Sequence, residues 1–539
     1  MSSARVLRSG GLLAGLLLTG LWLVAEPTPT PTPVPPRASE NPEDSRARMP
    51  LRPTPFQPES KFPPPQQSEE EEERKANKPG EPELLHGEPA VFLDGQPFPE
   101  KQLYEPKLPQ ARRLRYAAAD AKDAGDGSAE RPWKDLQSAL CSLEPGDRLV
   151  VASGIYAGAF RVTAAAGCRD GTPEAPIQFF ARHAFLRPAG TDPVLTIEKA
   201  HWQFWETQFA LTDSAAPGLV ARGAGAHDIA IDQSHIYEGD GPALVLGNGS
   251  ARITVSHCHI HHSSGVRIEA GTSEITLINN HLHHNHAASL SIGSGPAGPP
   301  ARAIRLLGNR VNNDRGPALD LARCQDVSVL RNRFSNYRPD EDSGKGGQAI
   351  IVGACGGVVF EGNSVLEATV GVRLAGGPSG ERPVGRVDFR RNYFENHLTA
   401  ESTAFDIATS APVRIWNNVI DHYAVPFRLA GDASGASIAN NLIVAPQTAF
   451  SLPAAPKYQL FDYNVFGGET ALPAQVGSET VKAVAWMKGR MPHSRVVSGL
   501  GFQDGDLGRV VGFSPVDAGT RLDGATFSGR APDIGVADH

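Results

Sequence analysis

Three groups of residues in this chain have the types and spacing that chemistry requires. The first is acidic. Asp340, Glu341 and Asp342 are followed closely by Lys345. Carboxylate oxygens are the ligands Ca²⁺ takes, and a lysine beside a bound cation can act as a base. Such a pair suits β-elimination of a uronic acid. The cation neutralises the sugar carboxylate, and the base takes the C5 proton that this makes more acidic. The second group is a series of spaced charges, Asp320, Arg373, Asp406 and Arg428. Arginine grips carboxylates and sulfates through two parallel hydrogen bonds. Arg373 and Arg428 therefore join Lys345 as catalytic candidates, and Asp320, Asp406 and His397 are candidate substrate contacts. The third group is histidine-rich: residues 252–292 hold eight of the chain's 17 histidines. Among them His261, His283 and His284 are alternative metal ligands or bases. Each group has a plainer reading: an acidic solvated loop, an ordinary charged sheet face, and histidines filling turns.

A repeat is what would position these residues. Ile253, Val255, Cys258 and Ile260 are matched by Ile275, Leu277, Asn280 and Leu282. An apolar triplet follows each time, Val266-Arg267-Ile268 and then Leu290-Ser291-Ile292. The frame is apolar-x-apolar-x-x-Asn-x-apolar. Its Asn position falls at Thr207, Ser234, Cys258, Asn280, Asn309, Asn332, Asn363, Asn392, Asn418, Asn441 and Asn464, at steps of 22 to 31 residues. Units of that length stack as a solenoid. Each Asn is expected at a tight turn, in left-handed backbone, its amide bonding along the axis. Cys258 takes a rung and is expected to be a buried thiol. Ten steps at one strand spacing make a rod of roughly 48 Å.

The same frame sets neighbours. Val220, Val245, Arg267, Ser291, Asp320, Ile351, Arg373, Asp406, Arg428 and Ser451 should form one outward column. His259 should lie over His281, His261 over His283 and His262 over His284, with His235 one coil above. Cys324 and Cys355 each stand three residues before a matched valine, so they should lie about 5 Å apart, within disulfide range. Cys141 and Cys168 can pair between an N-terminal helix and the first coil. The longest step, 31 residues after Asn332, inserts residues within 337–347, and the coil of Asn392 adds residues 397–403 at the same corner, where both would rim the charged column.

Composition narrows the partners. A net charge of -8 without a large basic cluster argues against nucleic acid. Five cysteines, none in Cys-x-x-Cys spacing, argue against a thiolate zinc site. Arg5 and Arg8 precede an apolar run over residues 10–25, so residues 1–25 read as an export signal of bacterial type or an uncleaved anchor. Residues 26–110 are Pro-rich and acidic and read as a disordered tether. Two disulfides would suit an extracytoplasmic location. Membrane contact would come only through an uncleaved anchor.

From Tyr116 the grammar changes. A turn at Gly125-Asp126-Gly127-Ser128 leads to Pro132, and Trp133, Leu136, Gln137, Leu140 and Leu143 mark one helical face. Pro145-Gly146-Asp147 ends that helix, and Gly154-Ile155-Tyr156 opens a strand. An amphipathic helix there would cover the open edge of the first coil. This series resembles the start of secreted right-handed parallel β-helix proteins of the pectate lyase and chondroitinase B type. Trp486, Gly489, His493-Ser494, Ser514-Pro515-Val516-Asp517-Ala518-Gly519 and Asp533-Ile534-Gly535 resemble that group's closing segment. The resemblance implies an all-β, right-handed parallel β-helix with an N-terminal capping helix, over residues 116–470, and a closing segment over 471–539 packed on it. It implies a polysaccharide lyase or epimerase on acidic polysaccharide or cell-surface glycan, or a non-catalytic glycan-binding or structural rod. His286 to Ser294 is also similar to a polygalacturonase phrase. That family's Asp-Asp pair is replaced by Ser263-Ser264-Gly265-Val266, and inverting hydrolysis needs two carboxyl groups.

Overall fold

A computed structural model describes residues 92–93, 96–97, 108–295, 298–339, 346–374, 383–398, 401–503, 506–515, 518–521 and 533–535. Residues 82–539 form one compact unit. It is an all-β parallel solenoid of about 11 turns, a right-handed β-helix. The expected signal or anchor and most of the tether lie outside the described residues. None of the described helices is long and apolar enough to cross a membrane.

One turn shows how the sequence makes the coil. Val266–Glu269 lies on a first face, Ser273–Ile278 on a second and His281–His283 on a third. Alternation sends Val266, Ile268, Ile275, Leu277 and Leu282 inward, where all are buried. Each strand pairs in parallel with its equivalent one turn on. In the middle of the rod, Leu319–Leu330 and Gln348–Glu361 run unbroken through the first and second faces. Cys324 and Cys355 are register partners there and are joined as a disulfide, with Cα atoms 4.6 Å apart.

The asparagine ladder runs through the interior. From Asn280 to Asn441, each Asn gives both its backbone N–H and its Nδ2 to the Oδ1 of the next, at 2.9–3.1 Å. Asn464 ends the series by donating to Ser494 Oγ. The left-handed turn is not at these residues. It falls one position earlier, at Asn279, Gly308, Arg331, Gly362, Arg391, Asn417, Asn440 and Tyr463, with φ between 53° and 66°. The physical reason is that the ladder residue must aim its amide inward, so its predecessor makes the reversal. Cys258 keeps its rung. Its N–H donates to Asn280 Oδ1 at 2.9 Å, and burial pushes the thiol up to about 12.

A second, shorter ladder runs outside the repeat frame. Ser263 N donates to Asn285 Oδ1, and Asn285 N donates to Asp314 Oδ1 at 2.8 Å. Tyr337 OH closes it on Asp314 Oδ2 at 2.7 Å. Burial pushes this carboxyl up to about 7.

At the N-terminal end the helix is Leu136–Ser142, shorter than the expected start at Pro132. Asp135 caps it by accepting from Ser138 N, so the chain before it stays extended. Trp133 instead bridges Ala117 and packs on Gly127, where a Cβ would stand 2.7 Å from the indole. Leu136, Ala139 and Leu140 are buried, and Cys141 is bonded to Cys168.

The third face changes character along the rod. Its outward residues are histidines in the upper coils, then Arg310 and Arg333, then apolar residues such as Val419, Leu442 and Val465. The C-terminal segment covers that apolar part. Ile534 packs into the same cluster, and Asn417 and Asn440 hold the segment by donating to the carbonyls of Asp533 and Thr520.

Candidate functional site in a corner groove

The outward column of the first face has the expected order. Every neighbour from Val220 to Ser451 is a register partner of the next. Ile351 separates Asp320 from the other charges, leaving Arg373, Asp406 and Arg428 contiguous. Asp406 is only 4% exposed, and Arg428 holds it through Nε at 3.0 Å and Nη2 at 2.8 Å. The hydrogen bond to Asp406 raises the Arg428 guanidinium above its ordinary value. Burial raises Asp320.

Arg428 also lines a groove of ≈ 400 Å³, with Glu401, Ser402, Thr369, Val370 and Gln447. The groove lies at the corner where the two inserted segments arise. Pro339 and Gly346 bridge at the foot of one, and Val370 N donates to Gly347 O at 2.8 Å. Lys345, Asp340, Glu341 and Asp342 lie between those feet and outside the described residues.

The other insertion carries His397. Its Nε2 lies 2.8 Å from Glu395 Oε1, and the backbone N–H groups of His397 and Leu398 donate to the Glu367 carboxylate. The His397 ring meets His422, with centroids 4.1 Å apart. His422 Nδ1 lies 2.6 Å from Asp421 Oδ1, and Tyr393 OH donates to Asp421 Oδ2 at 3.3 Å. The Asp421 hydrogen bond raises the His422 imidazole, against the opposing effect of burial. Ligand atoms of His397, Asp421 and His422 lie within 4.8 Å of one another, an N₂O set that could hold a metal. This carboxylate–imidazole cluster adjoins the groove, since Ala424, two residues on, donates to Ser402 Oγ at 3.0 Å.

Of the expected residues, Arg428 and His397 come to this corner, and Asp406 reaches it through Arg428. Arg373 is beside Asp406 in the column, and Asp320 lies higher on the rod. Glu395, Asp421 and His422 were missed. Glu395 and Asp421 are register partners on the third face, so aligning the short strand after each ladder Asn would have found the column.

The histidine columns have the expected register. His235, His259 and His281 stack in one, and His261 and His283 in the other, below Tyr237. His262 stacks on His284 at 5.3 Å. His235 Nε2 lies 2.7 Å from His261 Nε2, and His259 Nε2 lies 2.6 Å from His283 Nε2. Burial pushes His235 down to about 4. Burial first, and then neighbouring imidazoles, push His259 to about 3, His261 to about 2 and His283 to about 3. These rings are neutral at pH 7.

The coil geometry defines a right-handed parallel β-helix. In agreement, a sequence model of the "Right handed beta helix region" matches residues 264–443. No curated protein matches the chain in sequence. Similar solved structures include a pectate lyase, Pel9A, at 14% identity and TM-score 0.41, covering 79% of this chain and 96% of that one. An alginate lyase from Paenibacillus sp. str. FPU-7 matches at 14% identity and TM-score 0.39, covering 60% and 95%. The mannuronan C-5 epimerase AlgE6 A-module of Azotobacter vinelandii matches at 11% identity and TM-score 0.38, covering 64% and 92%. At such identities no residue role transfers from any of them to this chain.

Proposed function

We propose that this protein is an extracytoplasmic β-helix that lays an acidic polysaccharide along its first face. It would act on the polymer at the corner groove by proton abstraction, as a lyase or an epimerase. The observation that carries the reading is the groove itself. It is lined by Arg428, anchored by Asp406, and by Glu401, and through Ala424 and Ser402 it adjoins the coil that carries two carboxylate-supported imidazoles, His397 and His422. A uronate carboxylate would face Arg373 and Arg428, which suit it geometrically. His422, oriented by Asp421, or Lys345 from the adjacent insertion would take the C5 proton. In a lyase the C5–H electron pair then forms the C4–C5 double bond as the C4–O bond breaks. In an epimerase a proton returns to C5 from the other side. Ca²⁺ would neutralise the substrate carboxylate when bound. Asp340, Glu341 and Asp342 are the carboxylates proposed for it.

The two disulfides favour an oxidising compartment. Acidic polysaccharide or cell-surface glycan is the partner this reading requires, and the net charge of -8 argues against nucleic acid. A non-catalytic glycan-binding or structural rod is the second reading. It is favoured by the Asp406–Arg428 pair, in which the guanidinium already has a carboxylate partner within the fold.

Incubation with a panel of uronic-acid polymers, with and without Ca²⁺, tests the proposal. Ultraviolet absorbance reports unsaturated products and NMR reports the C5 configuration. Turnover of at least one polymer is expected. Binding without either product favours the second reading, and folded protein that neither binds nor converts any polymer defeats both.

A further inference from the structure

The upper third face carries a side-chain array that the groove does not use. Three successive coils present outward imidazoles in two columns, His235, His259 and His281 beside His261 and His283. Their intervening residues, Ile236, Ile260 and Leu282, fill the core. The histidines therefore add nothing to interior packing, unlike the buried asparagines. One strand spacing, about 4.8 Å, sets the rings face to face. Centroids of His235 and His259 are 4.8 Å apart, and those of His261 and His283 are 4.9 Å apart.

We propose that this array is a seat for one divalent late-transition-metal ion of the Zn²⁺ and Cu²⁺ type. The ion is held by His235, His259 and His261, or by His259, His281 and His283. In each triangle one ring nitrogen per histidine lies within 4.8 Å of the others. Because His259 belongs to both triangles, one chain holds one ion.

The ligand chemistry chooses the class of metal. Both triangles offer nitrogen alone. Ca²⁺ and Mg²⁺ take oxygen ligands, whereas imidazole suits Zn²⁺, Cu²⁺ and Ni²⁺. The distances are within reach. Two imidazole nitrogens on a tetrahedral ion at about 2.0–2.1 Å stand roughly 3.3 Å apart. The tips of His235 and His261, now 2.7 Å apart, need only part by less than about 1 Å. Two ligands are also oriented from behind. His261 Nδ1 lies 2.7 Å from His262 Nδ1, and His283 Nδ1 lies 2.6 Å from His284 Nδ1. A proton on Nδ1 of the inner ring satisfies that contact and leaves Nε2 with its lone pair outward. Histidine ligands in metal sites are held through the second ring nitrogen in the same manner. Three imidazoles leave a fourth position open to solvent or substrate.

The seat is separate from the groove. Three ladder steps, from Asn280 to Asn363, separate its last coil from the nearest coil lining the groove, that of Thr369, and five, to Asn418, separate it from that of Arg428, roughly 14 and 24 Å along the axis. Metal binding and polysaccharide turnover can thus fail independently.

The test uses the full chain without a histidine tag, stripped with a chelator and dialysed against Zn²⁺ alone. Metal content by mass spectrometry should approach one ion per chain, and excess Ca²⁺ should not displace it. Co²⁺ loading should give the visible bands of a low-symmetry nitrogen-bound centre. His259→Ala should lower Zn²⁺ affinity at least tenfold, while His235→Ala leaves the lower triangle and stoichiometric binding. Should His259→Ala fold poorly by circular dichroism, His259→Asn takes its place, since Asn312 already occupies the neighbouring column. Folded wild-type protein that takes up no Zn²⁺, or folded His259 variants that bind it unchanged, would overturn the proposal.

Discussion

Arg428 lies one coil beyond Asp406 and clamps its carboxylate through two hydrogen bonds, 3.0 and 2.8 Å long. The aspartate is nearly sealed from solvent, and the arginine reaches from it into the groove. Asp406 therefore aims the guanidinium.

Arg428→Ala leaves that carboxylate buried without its partner, so a loss of about 1–3 kcal/mol is expected in urea unfolding. Asp406→Ala should cost less stability, because Arg428 is part exposed and can turn to water. It should still weaken polymer binding, since the aimed geometry is gone. Equal binding by wild type and Asp406→Ala would remove the aiming role.

His422→Gln separates chemistry from folding. The imidazole is part exposed, so thermal stability should shift little. Product formation should fall on the order of 10²-fold, the usual worth of a positioned base. In the wild type the rate should rise with pH through the His422 transition, which Asp421 moves above the ordinary 6.5. A variant with unchanged rate and pH profile would pass the role of base to Lys345.

Asp314 supplies a pH signature. Its carboxyl titrates near 3.8 when unfolded and about 7 in the fold. The fold therefore holds this proton where the unfolded chain has released it. The stabilisation is complete below about 3.8 and is lost as pH rises through about 7. Asp314→Asn keeps an oxygen for Asn285 N and should flatten this dependence. Unfolding midpoints of the two proteins across that range decide the matter.

Cys258 should resist thiol reagents in the native protein and react at once in denaturant. It is buried in the ladder, its thiol is pushed up to about 12, and the thiolate is the reactive form. Reaction of native protein at the rate of a free thiol would show that the rung opens.

Asn363→Ala removes the oxygen that receives two donors from Asn332. A cost of about 1–3 kcal/mol for each buried group left unmet is expected from chemical denaturation. A change under 0.5 kcal/mol, about the size of a surface substitution, would mean the ladder relaxes locally.

Much of the coil could be read from the chain. Apolar alternation and the recurring Asn located the rungs, the first-face column and the Cys324–Cys355 pair. These features share one period and report each other. The left-handed position was misplaced by one residue, because Asn suits such backbone but the residues adopting it include Arg331 and Tyr463. The third face was poorly legible. Its strands are as short as Tyr393–Glu395, with one inward side chain, too few to show a period. Glu395, Asp421 and His422 were hidden for that reason. The groove depends on how two insertions meet at a corner, and no local pattern encodes that.

The ladder bonds adjacent coils through the same pair of atoms at each step, whatever the length of chain between them. Coils are thus interchangeable parts. Excising residues 280–308 would set Cys258 directly against Asn309, with both disulfides and the groove retained. The rod would be one strand spacing shorter, about 4.8 Å. It would also lose one of its two histidine triangles and keep the parts of the other. A molecule built this way can gain or discard a binding surface in whole units without redesigning the interior that carries it.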